Sequence, residues 1–240
     1  MYRRIILKLS GETLAPETIP QDNSASLTFE AERVERAANA IVRLADMGVQ
    51  TGVVMGGGNI WRGRFTDAMN PVLADQMGML ATIINALAVQ DAVQRLGKRA
   101  TVFTPQEMTR FAEHYRADRA DERLSAGEIV LLAGGSGNPF FTTDTAAALR
   151  AAELGADAVF KGTTVDGVYD SDPRKNPDAK LIRDITYQQC IDLGLKVMDT
   201  SAFELCKAQR IPEIRVFAMD DLDNILRVAR GEPIGTIVHP

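Results

Sequence analysis

Three short segments hold the residue types that phosphate chemistry uses. Lys8-Leu9-Ser10-Gly11 closes an apolar run near the start of the chain. A lysine there is a point charge that can bridge phosphates and follow a moving phosphoryl group. Ser10 and Gly11 offer backbone N–H groups that approach closely. Gly56-Gly57-Gly58-Asn59 follows a second apolar run, with Arg62 shortly after. Three consecutive glycines let the backbone come near an anion, and Arg62 adds a two-pronged donor. The stretch from Gly134 to Asp144 gathers glycines, hydroxyls and one acid just ahead of a helix start, where anions bind readily.

Each segment also has a plainer reading. Taken alone, Lys8 to Gly11 is an edge lysine and a turn. Thr142 or Thr143 can simply cap a helix, and Asp144 is explained by its first-turn position as well as by catalysis. Lys161-Gly162-Thr163-Thr164 and the stretch Asp166 to Pro173 read as a turn-rich loop, or as a surface hairpin with Tyr169 available for a base. Some chemistries are excluded more firmly. No G-x-x-x-x-G-K-S/T occurs, no G-x-G-x-x-G follows a strand, and there is no protein-kinase loop, G-x-S-x-G or H-E-x-x-H.

The elements that must position these segments alternate. Ile5-Ile6-Leu7 with Leu9 reads as a buried strand, Ala15 to Thr28 as a loop, and Phe29 to Met47 as a helix with one apolar stripe. Thr51 to Met55 is a strand running straight into the triple glycine. Ala74 to Leu96 reads as a long helix, apolar on most faces, buried and packed against another subunit. Its longest apolar stretch, Met77 to Val89, is interrupted by Thr82 and Asn85 and is too short to span a bilayer. Strands follow at Thr101 to Phe103, Glu128 to Ala133, Ala158 to Lys161 and Ile214 to Phe217. Helices follow at Thr143 to Leu154 and Asp221 to Arg230, with an edge strand at Thr236 to Val238. Asp166-Gly167 is a hairpin-type turn signal. The alternation predicts an α/β layered fold with a mainly parallel sheet, and such sheets bind ligands beyond the carboxyl ends of their strands.

The chain has 240 residues, 45% hydrophobic and 25% charged, with a net charge of −5. This is ordinary for a globular protein. The sequence pI near 5.2 and the lack of a Lys/Arg run argue against nucleic-acid binding. Two cysteines, Cys190 and Cys206, without CxxC spacing, fit reduced thiols rather than a disulfide framework. No targeting segment is visible, so a cytoplasmic protein is expected.

In order, the segments resemble those of bacterial uridylate kinases, within the amino-acid kinase superfamily. The resemblance rests on Ile6 to Glu12, Gly56 to Asn59 with Arg62-Gly63, Asp75-Gln76-Met77-Gly78-Met79-Leu80-Ala81-Thr82, Gly137 to Asp144, Val165 to Tyr169 and Leu195 to Asp199. It implies a single domain, residues 1–240, built as an αβα sandwich around a mainly parallel sheet. Its N-terminal part would mainly bind UMP and its C-terminal part ATP, in a homohexamer. The implied activity moves the γ-phosphate of MgATP to UMP, a step in pyrimidine nucleotide biosynthesis. The family's ATP side would fall on Lys8, Leu9, Ser10, Gly11, Gly58, Arg62, Thr163, Tyr169 and Asp172. Its UMP side would fall on Gly57, Asp75, Ser136, Gly137, Asn138, Pro139, Phe140, Phe141, Thr142 and Thr143. Lys8, Arg62, Asp144 and Asp199 would act at the phosphates, the two acids orienting Lys8 or Mg²⁺. UTP is implied as a feedback inhibitor in the UMP pocket.

Two departures bear on regulation. Pro20 to Phe29 has no glycine where many members carry a glycine-rich segment linked to GTP activation. Gln90 and Gln94 stand where GTP-responsive members often have an arginine and a histidine. Weak or absent GTP activation is expected. Two rivals share the general pattern: a related kinase with an acyl acceptor such as glutamate or carbamate, and a non-catalytic nucleotide sensor.

Overall fold

A computed structural model describes residues 2–16, 29–61, 69–171, 173 and 175–240. In chain order its strands and helices are β1 (Arg4–Leu9), α1 (Ala31–Asp46), β2 (Gln50–Met55), α2 (Pro71–Arg95), β3 (Ala100–Thr104), β4 (Glu113–His114), α3 (Ala117–Ser125), β5 (Ile129–Leu132) and α4 (Thr143–Glu153). Then come β6 (Ala158–Thr163), β7 (Val168–Tyr169), β8 (Leu181–Ile182), β9 (Asp184–Thr186), α5 (Tyr187–Asp192), α6 (Thr200–Ala208), β10 (Glu213–Ala218), α7 (Asp223–Ala229) and β11 (Thr236–His239).

Nine strands form one sheet in the order β4-β3-β5-β2-β1-β6-β10-β11-β9. Every pairing in it is parallel except β10 with β11. Strand β1 lies between β2 and β6, reached by the chain in opposite directions. That reversal opens a crevice at the carboxyl ends of these strands. Parallel strands covered on both faces need nearly continuous apolar runs, which β1 and β5 have. Side-chain alternation then sorts the core. Ile5, Leu7 and Leu9 pack with α1, α2 and α7, while Ile6 packs with α3, α4, α5 and α6. The result is three layers with a core on each side of the sheet.

Helix α2 starts earlier than the apolar pattern suggests. Asn70 caps it by accepting the Val72 N–H at 2.9 Å, and Pro71 occupies the first turn. The helix packs its inner face on β2, β3, β5 and α1. Leu73, Met77, Leu80 and Ile84, stepping by four, three and four, stand exposed on the other side. So α2 is not buried all round, as its composition suggests, but carries an outward apolar stripe. With 25 residues it is also the one helix among the described residues long and apolar enough to cross a membrane.

Two local expectations change. Asp166-Gly167 does not make a two-residue hairpin. Strand β7 pairs antiparallel with β8 across a longer loop, and Gly167 packs where a Cβ would lie 2.6 Å from the Thr236 hydroxyl. Strand β11 is interior, because β9 pairs along its other side and takes the edge. Cys190 and Cys206 are free and buried, and burial pushes their thiols up to about 11 and about 12.

Candidate active site

Strand register sets the centre of the site. Lys8 on β1 sits beside Lys161 on β6. Lys8 shares its face with Ile6 and Lys161 shares its face with Val159, so both point toward the side that α4 covers. There Asp144, in the first turn of α4, receives them. Lys161 Nζ lies 2.5 Å from Asp144 Oδ1, and Lys8 Nζ lies 3.4 Å from the same oxygen. Lys161 is only 7% exposed. Burial pushes its ammonium down to about 8, with Asp144 opposing the shift and Lys8 adding to it. Burial also pushes the Asp144 carboxyl up, but the two lysines outweigh it and hold it below the usual carboxylate range. Two cations around one anion leave a net positive charge in a largely buried cluster. That arrangement stabilises a phosphoryl group in transit.

The glycine segments close the crevice. Beyond β2, Gly57 lies so near α2 that an added Cβ would sit 2.9 Å from Gly78 O. Only glycine lets the loop pass there. Beyond β5, the Gly134 N–H donates to the Thr82 hydroxyl at 2.7 Å. Helix α4 begins at an N-cap, Thr142, which accepts the Asp144 N–H at 3.1 Å. The Thr142 hydroxyl also donates to the Asp199 carboxylate, and Thr145 Oγ1 lies 3.4 Å from the same oxygen. Asp199, at the start of α6, therefore grips the start of α4, whereas Asp144 takes the lysines.

The expected residues divide into two groups. Lys8, Ser10, Thr163 and Tyr169 line one cavity of about 990 Å³ together with Lys161 and Met219. The Tyr169 hydroxyl donates to Asp166 at 2.5 Å. Leu9 faces the core, and its carbonyl accepts the Gly56 N–H at 2.8 Å. Gly11 and Gly58 lie against each other, a Cβ on Gly11 coming 2.9 Å from Gly58 N. The second group lies across the crevice. Asp75, on the second turn of α2, accepts the Phe140 N–H at 2.7 Å. Phe140 is held at φ +72°, a conformation that bulky residues avoid, and the residue is 73% exposed. Phe141 is exposed as well. Ser136 closes a turn by accepting the Asn138 N–H at 3.2 Å. Gly137 and Pro139 continue that turn to the Thr142 cap and Thr143, the first residue of α4. Arg62 and Asp172 lie outside the described residues, as do residues 17–28, which hold most of the glycine-free loop.

The family model of the amino acid kinase family matches residues 3–217. The chain belongs to the amino acid kinase family. Among solved structures it is similar to a UMP kinase from Bacillus anthracis at 35% identity and TM-score 0.91, over 99% of this chain and 96% of that one. A UMP kinase from Ureaplasma parvum is 32% identical with TM-score 0.91, over the whole of both chains. A uridylate kinase from Archaeoglobus fulgidus is 25% identical with TM-score 0.71, over 98% of this chain and 99% of that one.

Amino acid kinases work on phosphoryl groups, and the crevice suits that chemistry. Sequence reasoning named Lys161 at the head of a turn-rich loop and gave it no role. Its signal was present, a lysine ending an apolar strand, but its partners come from a distant strand and helix. Thr82 was visible as an interruption in an apolar helix and as the end of the Asp75 to Thr82 segment, and Asn85 only as an interruption. Among the described residues no three His, Cys, Asp or Glu side chains converge as a metal site. A magnesium ion that arrives on nucleotide phosphates needs only one or two carboxylates, and Asp144 and Asp199 are the acids at this end of α4.

Proposed function

We propose that the protein is a UMP kinase, transferring the γ-phosphate of MgATP to UMP to give UDP and ADP in pyrimidine nucleotide biosynthesis. The observation that carries this is the Lys8–Asp144–Lys161 cluster, set between a nucleotide-sized cavity and the Asp75–Phe140 rim. The acceptor is a phosphate oxygen of UMP, already anionic at neutral pH, so no general base is needed. The reaction needs alignment and charge neutralisation. Lys161 and Lys8 hold positive charge at the transferred group. Asp144 keeps both ammonium groups aimed into the crevice. The glycine loops after β1 and β2 lie beside the phosphates, where the lack of a side chain lets the backbone approach closely. Magnesium, when bound with ATP, neutralises phosphate charge.

The ATP base and ribose take the cavity by Thr163, Tyr169 and Met219, and Arg62 and Asp172 belong to the ATP side as well. Asp75 takes the UMP ribose, and the Ser136–Thr143 run takes the uracil. UTP competes there as a feedback inhibitor. The exposed Leu73–Ile84 stripe on α2 packs against a second copy in a homohexamer, which supports α2 as an interface rather than a membrane span. The continuous nine-stranded sheet supports reading residues 1–240 as one domain. The Gln90 amide donates to Ala100 O at 2.9 Å, so it is engaged in packing rather than offered to an effector. This supports weak or absent activation by GTP. The free, buried cysteines support a cytoplasmic protein, and the net charge of −5 supports one that leaves nucleic acid alone.

Measuring ADP release with saturating MgATP across UMP, CMP, AMP, glutamate and carbamate tests the reading. Turnover with UMP well above the others is expected. Turnover with an acyl acceptor, or with none, overturns it.

A further inference from the structure

Strand pairing of β1 with β2 ends at Leu9 and Met55, and past the Gly56 N–H bond to Leu9 O the sheet, among the described residues, does not hold the glycine loop. A side chain from α2 does. Asn85 is 0% exposed, in a helix whose inner face is otherwise almost wholly apolar. Its amide nitrogen donates to Gly56 O and to Asn59 Oδ1, each at 2.7 Å. Its amide oxygen accepts from Asn59 Nδ2 at 3.1 Å. Leucine would fill a similar volume, suit the helix better and cost no desolvation. The amide is explained by what it holds.

Asn59 passes the constraint on. A Cβ placed on Gly11 would collide with Asn59 Oδ1 and come within 3.0 Å of Asn59 N. Asn59 is thus wedged between α2 and the loop that follows Lys8. The Asn85–Asn59 pair sets the spacing of the loops at the ends of β1 and β2, and these loops flank the lysine cluster.

We infer that Asn85 is a positioning residue for phosphoryl transfer, acting through Asn59 to hold Gly56–Gly58 against Gly11. This rests on the kinase reading above. Asn85 reaches neither substrate. Its loss blurs the alignment of the reacting groups, which lowers kcat more than it weakens binding.

The test compares Asn85→Leu, Asn59→Ala and the double variant with the wild-type enzyme. Expected are a ~10- to 100-fold fall in kcat for UDP formation and KM values for UMP and MgATP within ~3-fold. The double variant should fall no further than the worse single, because the two amides act as a unit. Amide hydrogen exchange should quicken at residues 56–59 and stay slow along α2. If Asn85→Leu does not fold, Asn59→Ala carries the same readouts. Normal kcat in the variants of an active wild type overturns this inference alone. So do additive losses, or exchange that quickens throughout α2. A wild type that makes no UDP overturns the kinase reading and this inference together.

Discussion

The two sides of the crevice that the proposed reaction assigns to donor and acceptor are held in opposite ways. On the donor side, Lys8, Asp144 and Lys161 come from two core strands and a covered helix, and they pair with one another. On the acceptor side, Asp75 and Phe140 meet through one hydrogen bond at an open rim, with Phe140 and Phe141 exposed. Charges that must meet a developing transition state work best when fixed in advance in a dry place. A pocket that admits and releases a nucleotide each cycle needs contacts that break easily. Rigidity is spent where the charge moves.

The sharpest way to break this contrast is to remove a donor-side cation. Lys8→Ala should lower kcat on the order of 10²–10³-fold with KM for UMP nearly unchanged. A change confined to the KM for MgATP would make Lys8 a binding group and erase the distinction. On the other side, Asp75→Ala should raise the KM for UMP by about 10- to 100-fold, the worth of a hydrogen bond to a charged group. KM for MgATP should hold. Equal effects on both substrates would show that the two sides are not separately built.

Much of this division was legible in the chain. The strand at Ile5 to Leu9 and the glycine loops after Met55 and Leu132 are local signals, an apolar run closed by flexible punctuation. The Lys8–Lys161 pairing is not local. It depends on β1 and β6 lying in register, which no window of sequence contains. Helix α3 was missed because only Ala120 and Leu124 of its nine residues are buried, too few for an apolar period. The interior place of β11 was hidden because β9 is three residues long and joins the sheet only through tertiary packing. The outward stripe on α2 was obscured because apolar residues line both the core face and the exposed face.

The pH dependence separates the two sides further. Lys161, pushed down to about 8, is charged in the free enzyme below that pH and neutral above it. The transferred phosphate favours the charged form and moves the transition upward in the complex. So kcat/KM for MgATP should fall about fivefold between pH 8 and about pH 9, while kcat declines only at higher pH. A flat kcat/KM profile across this range would mean that Lys161 carries no charge the substrate needs. The smallest effect should come from the rim. Phe140→Gly relieves a left-handed backbone but frees the unfolded chain, so stability should stay within about 1 kcal/mol. KM for UMP should rise a few-fold, by roughly the worth of one loosened contact. A large loss of kcat there would place Phe140 with the fixed centre instead.

The most direct measurement is UDP formation from UMP and saturating MgATP by the wild-type chain and Lys161→Met side by side. A preassembled pair of lysines predicts UDP from the wild type, and in the variant a kcat lower by at least ~100-fold with the KM for UMP within ~3-fold. A folded variant that turns over UMP at the wild-type rate would contradict it.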